Sequence, residues 1–200
     1  AQKNALRPQQ VLEAVRYILN DEYIITTEVG QNQMWAAQFL AFKEPRTLIT
    51  SGGLGTMGYG LPAAIGAQIA YPDKTVIDVA GDASIQMNIQ ELMTAVANRL
   101  PVKILILNNQ YMGMVRQWQE FFYEKNYAHT NMEAQPDFVK LAEAYGADGY
   151  RITNNDELKT VLPKALTSGN ATIIDVIVER EENVYPMVPA GASLDDMLLV

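Results

Sequence analysis

Two oxygen-bearing side chains stand just past the ends of apolar runs. Asp82 follows "TVIDVAG" and Asn109 follows "VKILILN". A carboxylate and an amide oxygen, joined by a nearby loop carbonyl, form a hard oxygen set of the kind Mg²⁺ takes. Waters or substrate phosphates would complete its octahedron. A plainer use exists, because Gly-Asp and Asn-Asn are common in turns and an Asp before a helix often only caps it. Joint placement favours the ligand reading. If the two runs are neighbouring parallel strands, they lie about 4.8 Å apart, and ligands of such sheets gather beyond the carboxyl ends of the strands. Asp82 is expected there as an exposed turn carboxylate that contributes little to the core.

A second candidate is the loop "SGGLGTMGYG". Gly53-Leu54-Gly55-Thr56-Met57-Gly58 matches the letters of the dinucleotide fingerprint, with Asp78 where a ribose-binding acid would be sought. A true fingerprint opens its helix within the glycines, whereas here the helix opens at Gly60-Leu61-Pro62. The glycines therefore read as an extended loop suited to close approach by a ligand or a partner backbone. No Gly-Lys-Ser/Thr is present, so a P-loop is excluded, and a metal is the natural counter-charge for a phosphate. The chain also lacks a Gly-x-Ser-x-Gly elbow.

These residues need a frame, and the pattern supplies one. A helix is predicted from Pro8 to Leu19, with Val11, Leu12, Val15 and Ile18 on one face. "YIITTEVG" reads as a buried strand, "NQMWAAQFLAF" as a helix, "TLIT" as a short strand and "PAAIGAQIA" as a helix. The strand "TVIDVAGD" leads to a helix carrying Ile85, Ile89, Leu92 and Val96 on one stripe, and "VKILIL" is a run suited to a fully buried parallel strand. Helices follow over Met114 to Phe122 and Asp137 to Tyr145. A strand near Tyr150, a helix from Asp156 to Leu166 and the strand "ATIIDVIVE" close the alternation. The fold expected is α/β, a doubly wound parallel sheet with helices on both faces. Residues 1–182 form its domain. The segment 183–200 does not continue the alternation and is expected as a tail over the domain surface.

Composition narrows the function. The chain has 200 residues, 48% of them hydrophobic, and a net charge of -8 without a basic block, which argues against nucleic acid. It has no cysteine, which excludes disulfides and thiolate catalysis, and its single histidine, His129, cannot build a poly-His metal site. No apolar run approaches the roughly 20 residues that span a bilayer, and a signal sequence is missing. The chain is expected to be soluble and intracellular. Its polar start, "AQKNALRP", suggests a fragment of something longer.

"GDAS" followed by "NN" resembles the signature of thiamine-diphosphate enzymes. The stretches "TSGGLGTMGYGLPAAIGAQ", "GDASIQMNIQEL", "PVKILILNN", "GMVRQWQEFFY" and "PMVPAGASLDDM" are similar, in order, to the carboxy-terminal domain of acetohydroxyacid (acetolactate) synthase catalytic subunits. The resemblance covers essentially the whole chain and implies the thiamine-diphosphate-binding fold. It implies that Asp82 and Asn109 ligate Mg²⁺ by side chain and Tyr111 by its carbonyl. Val29, Gly30, Gln31 and Asn32 would border the diphosphate, with Gly81, Ala83, Ser84 and Gly113 in the same pocket. Gly55, Met57 and Met87 would contact the cofactor's rings, and Met114 and Trp118 would border the substrate. Without the resemblance, Met57 and Trp118 read as core residues. Two departures are visible: Asn32 stands where the family usually has His, and Ala83 replaces the third Gly of the general signature.

The activity so implied is decarboxylation of pyruvate and condensation of the two-carbon unit with pyruvate or 2-ketobutyrate, for branched-chain amino acids. It implies 2-keto acid substrates and a homodimer or tetramer in which a partner's amino-terminal domain supplies a catalytic glutamate. It also implies a regulatory subunit, FAD bound outside this domain, and a cytoplasmic or organellar place. No segment here resembles the glutamate-bearing domain, and Glu28 and Glu91 do not match its motif, so the chain alone is expected to be inactive. The alternatives are another thiamine-diphosphate decarboxylase or oxidase, a non-catalytic cofactor-binding module, and an NAD-binding domain.

Overall fold

The computed structural model describes residues 5–199. The opening residues 1–4 and Val200, which belong to the expected domain and tail, lie outside the described residues. Six strands form one parallel sheet: β1 Ile24–Thr27, β2 Leu48–Thr50, β3 Val76–Gly81, β4 Lys103–Asn108, β5 Asp148–Ile152 and β6 Thr172–Ile177. Their order is β2-β1-β3-β4-β6-β5. The helices are α1 Pro8–Leu19, α2 Gln31–Phe39, α3 Gly60–Ala70, α4 Leu92–Ala97, α5 Gly113–Phe122, α6 Phe138–Tyr145, α7 Asn155–Thr160 and α8 Leu162–Leu166.

Strand periodicity of two divides the core between the faces. Ile77, Val79, Leu105, Leu107, Ile174 and Val176 pack with α1, α2, α7 and α8. Their neighbours Val76, Ala80, Ile104, Ile106 and Ile173 pack with α3, α4 and α6. Both faces are covered, which is why these strands read as continuous apolar runs rather than alternating ones. Local signals set the helix ends. Pro8 opens α1, and Asn20 closes it in the left-handed conformation. The Asp137 carboxylate accepts from the Val139 and Lys140 amides at the start of α6.

Two of the expected helices are broken. The stripe Ile85–Val96 is a pair of 3-10 turns, Ile85–Met87 and Ile89–Glu91, followed by the short α4. Asn88 interrupts it with φ -140°, and its side-chain amide donates to the Gly58 carbonyl at 2.9 Å. A bond to the glycine loop thus takes the place of helix continuity. The segment Asp156–Leu166 divides into α7 and α8, where Pro163 has no amide to donate to the preceding turn. Among the described residues no helix is long and apolar enough to cross a membrane.

Candidate functional site

From β1 the chain crosses to β2 on one side, whereas β3 lies on the other, so the crevice between the carboxyl ends of β1 and β3 is the topological switch point. A cavity of about 190 Å³ opens there. Val29, Gly30, Gln31 and Asn32 reach it from the end of β1, and Gly55 and Met57 from loop 51–59. Gly81, Ala83 and Ser84 line it from the end of β3, and Asn109, Tyr111, Gly113 and Met114 from the end of β4. Trp35, on α2, also lines it and was not anticipated.

Close approach explains the glycines. Gly30 has φ +150°, a region that only glycine adopts easily, and a Cβ there would lie 2.7 Å from the Asn32 amide oxygen. At Gly113 a Cβ would overlap the Gln31 amide oxygen. Asn32 donates to the carbonyls of Glu28 at 3.2 Å and Val79 at 2.8 Å, bridging the ends of β1 and β3. Its amide hydrogens are thus committed to the scaffold, and only its oxygen is left for a ligand. The Ser84 hydroxyl accepts from the Gly81 amide at 3.2 Å.

Asp82 is fully buried, not the exposed turn residue expected. Among the described residues neither of its carboxylate oxygens has a hydrogen-bond partner. Burial pushes its pKa up to about 7, and the nearby Asn109 and Gln110 amides oppose that rise only in part. An unpartnered buried carboxylate is costly and calls for a positive partner. Asn109, 5% exposed, donates from its amide nitrogen to Gln31 Oε1 at 3.1 Å, and its oxygen accepts from the Tyr111 amide at 3.1 Å. Gln110 takes φ +58° to make this bend. The Tyr111 ring is flanked by the guanidinium groups of Arg116 and Arg180, at 5.8 and 4.8 Å.

Among the described residues no group of three or more His, Cys, Asp or Glu side chains could hold a metal. An ion here would take Asp82 with neutral oxygens instead, a donor set that suits Mg²⁺. Among the described residues no lysine or arginine lines the cavity, so a bound diphosphate would draw on such an ion for its counter-charge.

Three sequence candidates lie outside the cavity wall. Asp82 is buried, Met87 is 53% exposed beside Gly58, and Trp118 is 42% exposed. Trp118 stacks edge-on against Phe122 at 5.9 Å in an adjoining groove that shares Val115 with the cavity and includes Tyr123. Met114 and Trp118 therefore do not share one wall, although they lie one turn apart. Trp118 is not a core residue either.

Glu28, set aside above as a catalytic glutamate, has a structural use that its sequence context did not show. It is fully buried, and its carboxylate accepts from the Gly58 amide at 2.5 Å and the Leu61 amide at 3.2 Å, fixing the glycine loop to the end of β1. Burial raises its pKa, and burial with the Glu28 charge raises that of Asp78 well above the carboxylate range. Asp78 lies sealed within β3, packed against Thr26 and Gly60, and cannot reach a ribose. The dinucleotide reading fails there. Gln117, also fully buried, was overlooked. Its position one turn after Gly113 was the available signal.

The family described as thiamine pyrophosphate enzyme, C-terminal TPP binding domain, matches residues 28–176. The chain is 54% identical over 197 residues to the acetolactate synthase large subunit of Parasynechococcus marenigrum (strain WH8102), covering 98% of this chain and 32% of that one. To the mitochondrial acetolactate synthase catalytic subunit of Saccharomyces cerevisiae it is 50% identical over 196 residues, 96% of this chain and 28% of that one. To the acetolactate synthase isozyme 2 large subunit of Escherichia coli it is 49% identical over 175 residues, 88% and 32% of the two. The chain spans 28–32% of the length of these relatives.

Proposed function

The chain belongs to the thiamine pyrophosphate enzymes, matching their C-terminal TPP binding domain, and from that premise we propose that it is the cofactor-binding part of an acetolactate synthase. The reaction is decarboxylation of pyruvate and transfer of the two-carbon unit to pyruvate or 2-ketobutyrate. One observation carries the reading. Asp82, a buried carboxylate with no hydrogen-bond partner among the described residues, sits beside Asn109 at the ends of β3 and β4, next to a cavity that no described lysine or arginine lines.

Asp82, Asn109 and the Tyr111 carbonyl hold Mg²⁺ in this proposal. Val29 to Asn32 with Gly81, Ala83, Ser84 and Gly113 border the diphosphate. Gly55, Met57 and Met87 face the cofactor's rings, and Glu28 fixes the loop that carries the first two. Thiamine diphosphate supplies the carbon nucleophile when bound, while the chain orients it and excludes water. Met114 and Trp118 border the second substrate, with Trp118 offering its indole from the neighbouring groove.

Residues 1–182 form the cofactor domain and 183–200 a tail over the site. Activity needs an amino-terminal domain of a partner catalytic subunit, in a dimer or tetramer that binds FAD elsewhere and associates with a regulatory subunit. The place is cytoplasmic in a bacterium and organellar in a eukaryote. Glu28 is engaged by loop amides and Glu91 by the Thr94 hydroxyl, and neither lines the cavity. That supports the expectation that the chain by itself makes no acetolactate.

Calorimetry with thiamine diphosphate tests the reading. Tight binding is expected with Mg²⁺ and weak binding in EDTA, and equal affinity in the two overturns it.

A further inference from the structure

The side-chain amides of Gln117, Gln31 and Asn109 form one buried line from the segment after β6 to the end of β4. Gln117 is fully buried, Gln31 is 2% and Asn109 5% exposed. Gln117 pairs with the main chain at two points. Its oxygen accepts from the Val184 amide at 2.8 Å, and its nitrogen donates to the Val184 carbonyl at 2.9 Å. The same oxygen accepts from Gln31 Nε2 at 2.9 Å, and that nitrogen also donates to the Glu182 carbonyl at 3.0 Å. The other end of Gln31, its oxygen, accepts from Asn109 Nδ2 at 3.1 Å.

An amide group has a donor end and an acceptor end of nearly equal size, so which way it points is decided by its partners. Here the partners leave no choice. Turning Gln117 over would set its NH₂ against the Val184 N–H and its oxygen against the Val184 carbonyl. With Gln117 fixed, Gln31 must direct its NH₂ toward Gln117 and Glu182. Its oxygen must then face Asn109. Asn109 in turn must give its NH₂ to Gln31, which leaves its oxygen for the Tyr111 amide and for a ligand. Gly113 makes the line possible, since a Cβ there would overlap the Gln31 oxygen.

We propose that Gln117 is a positioning residue for the metal site, whose two-point pairing with Val184 sets, through Gln31, the orientation in which Asn109 presents oxygen rather than NH₂ to Mg²⁺. An NH₂ group has no lone pair for a cation, so the orientation decides whether Asn109 is a ligand at all. The inference rests on the reading of Asp82 and Asn109 as Mg²⁺ ligands. It extends that reading to a residue with no contact to the ion, and it makes seating of the segment at Val184 a condition for metal binding.

The test is a Mg²⁺ titration of the intact protein at fixed thiamine diphosphate, reading the Mg²⁺ concentration for half-maximal cofactor binding by calorimetry. Gln117→Met removes the acceptor that faces Gln31 at nearly constant volume. Gln117→Glu keeps that acceptor and replaces the donor toward the Val184 carbonyl and Met187 Sδ by a second acceptor oxygen. Both variants are expected to melt at lower temperature. The midpoint should rise about tenfold or more in Gln117→Met, the size seen when outer partners of metal ligands are removed, and less than about threefold in Gln117→Glu. An unchanged midpoint in Gln117→Met, or an equal rise in both variants, overturns the assignment and leaves Gln117 a packing residue. If Gln117→Met does not fold, Gln117→Glu decides alone: a rise of tenfold overturns it, and retention within threefold sustains it. Mg²⁺-independent binding by the unsubstituted protein would instead remove the metal reading, and this inference with it.

Discussion

Neighbouring strands of this sheet each carry a buried ionisable group at opposite ends, and the two are treated differently. Lys103, at the amino end of β4, is 2% exposed, and its ammonium donates to the Ser168 and Asn170 carbonyls and the Thr172 hydroxyl at 2.6, 2.8 and 3.3 Å. Asp82, just past the carboxyl end of β3, is equally buried and has no hydrogen-bond partner among the described residues. One end of the sheet completes its own polar group within the chain. The other leaves a carboxylate with no such partner among the described residues. The proposed function assigns the first to stability and the second to binding, and sequence hydropathy gives no hint of the contrast.

Replacing Asp82 by Ala separates the two ends most sharply. Mg²⁺-dependent binding of thiamine diphosphate should weaken by at least about 100-fold, beyond the usual effect of an outer partner. The metal-free protein at pH 8 should melt no lower than the unsubstituted one, because the substitution removes an unpartnered charge. A fall in both binding and melting temperature would make Asp82 a structural residue like Lys103.

The same asymmetry has a pH signature without metal. The folded pKa of Asp82, about 7, lies above its ordinary value of 3.8, so the folded state binds the proton more tightly. Stability of the metal-free protein should therefore fall as pH rises from about 4 to 7, by on the order of 4 kcal/mol from this group. Lys103 runs the other way. Burial lowers its pKa to about 8 from 10.5, opposed by Asp148, so its contribution to stability should rise between about pH 8 and 10.5. Urea denaturation across this range, compared with the Asp82→Ala protein, reads both slopes. Saturating Mg²⁺ with cofactor should remove the first and leave the second.

Lys103→Met should destabilise the fold by about 2 kcal/mol, since it removes the charged donor shared by the Ser168 and Asn170 carbonyls and the Thr172 hydroxyl. The Mg²⁺ midpoint should not change. Thermal unfolding and the Mg²⁺ titration together check this, and a shifted midpoint would mean that the two ends communicate.

The smallest effect is expected at Trp118, outside both ends and half exposed. Trp118→Leu in the complete enzyme should lower the ratio of acetohydroxybutyrate to acetolactate several-fold, because one methylene in an apolar pocket is worth about 1–3 kcal/mol. Competition between pyruvate and 2-ketobutyrate reads the ratio. Stability should move by less than about 1 kcal/mol. An unchanged ratio would remove Trp118 from the substrate wall.

Most of the scaffold was legible because its signals are local. Continuous apolar runs such as "VKILIL" and the stripe Val11, Leu12, Val15 follow from periods of two and 3.6 residues, and the structure places strands and helices there. The misses fell where a distant group competes with a local preference. Asn88 bends away to Gly58, 30 residues before it in the chain. Of the candidate site, the sequence put Asp82 and Asn109 just past the ends of two strands but left their adjacency as a condition, and the pairing of β3 with β4 meets it. It gave the wrong exposure for Asp82, because a turn residue's burial depends on what folds over it.

By itself the sequence determined the alternation of strands and helices, the glycines of the loop before α3, and two oxygen residues at strand ends. These follow from chain geometry within a few residues. Only the tertiary structure decided that the Asp82 carboxylate is sealed with no partner among the described residues, that Glu28 holds the glycine loop, and that Gln117 joins Gln31 to Val184 across 86 and 67 residues of chain. A hydrogen bond needs its two atoms within about 3 Å, and no local pattern reports which distant residues the fold will bring that close.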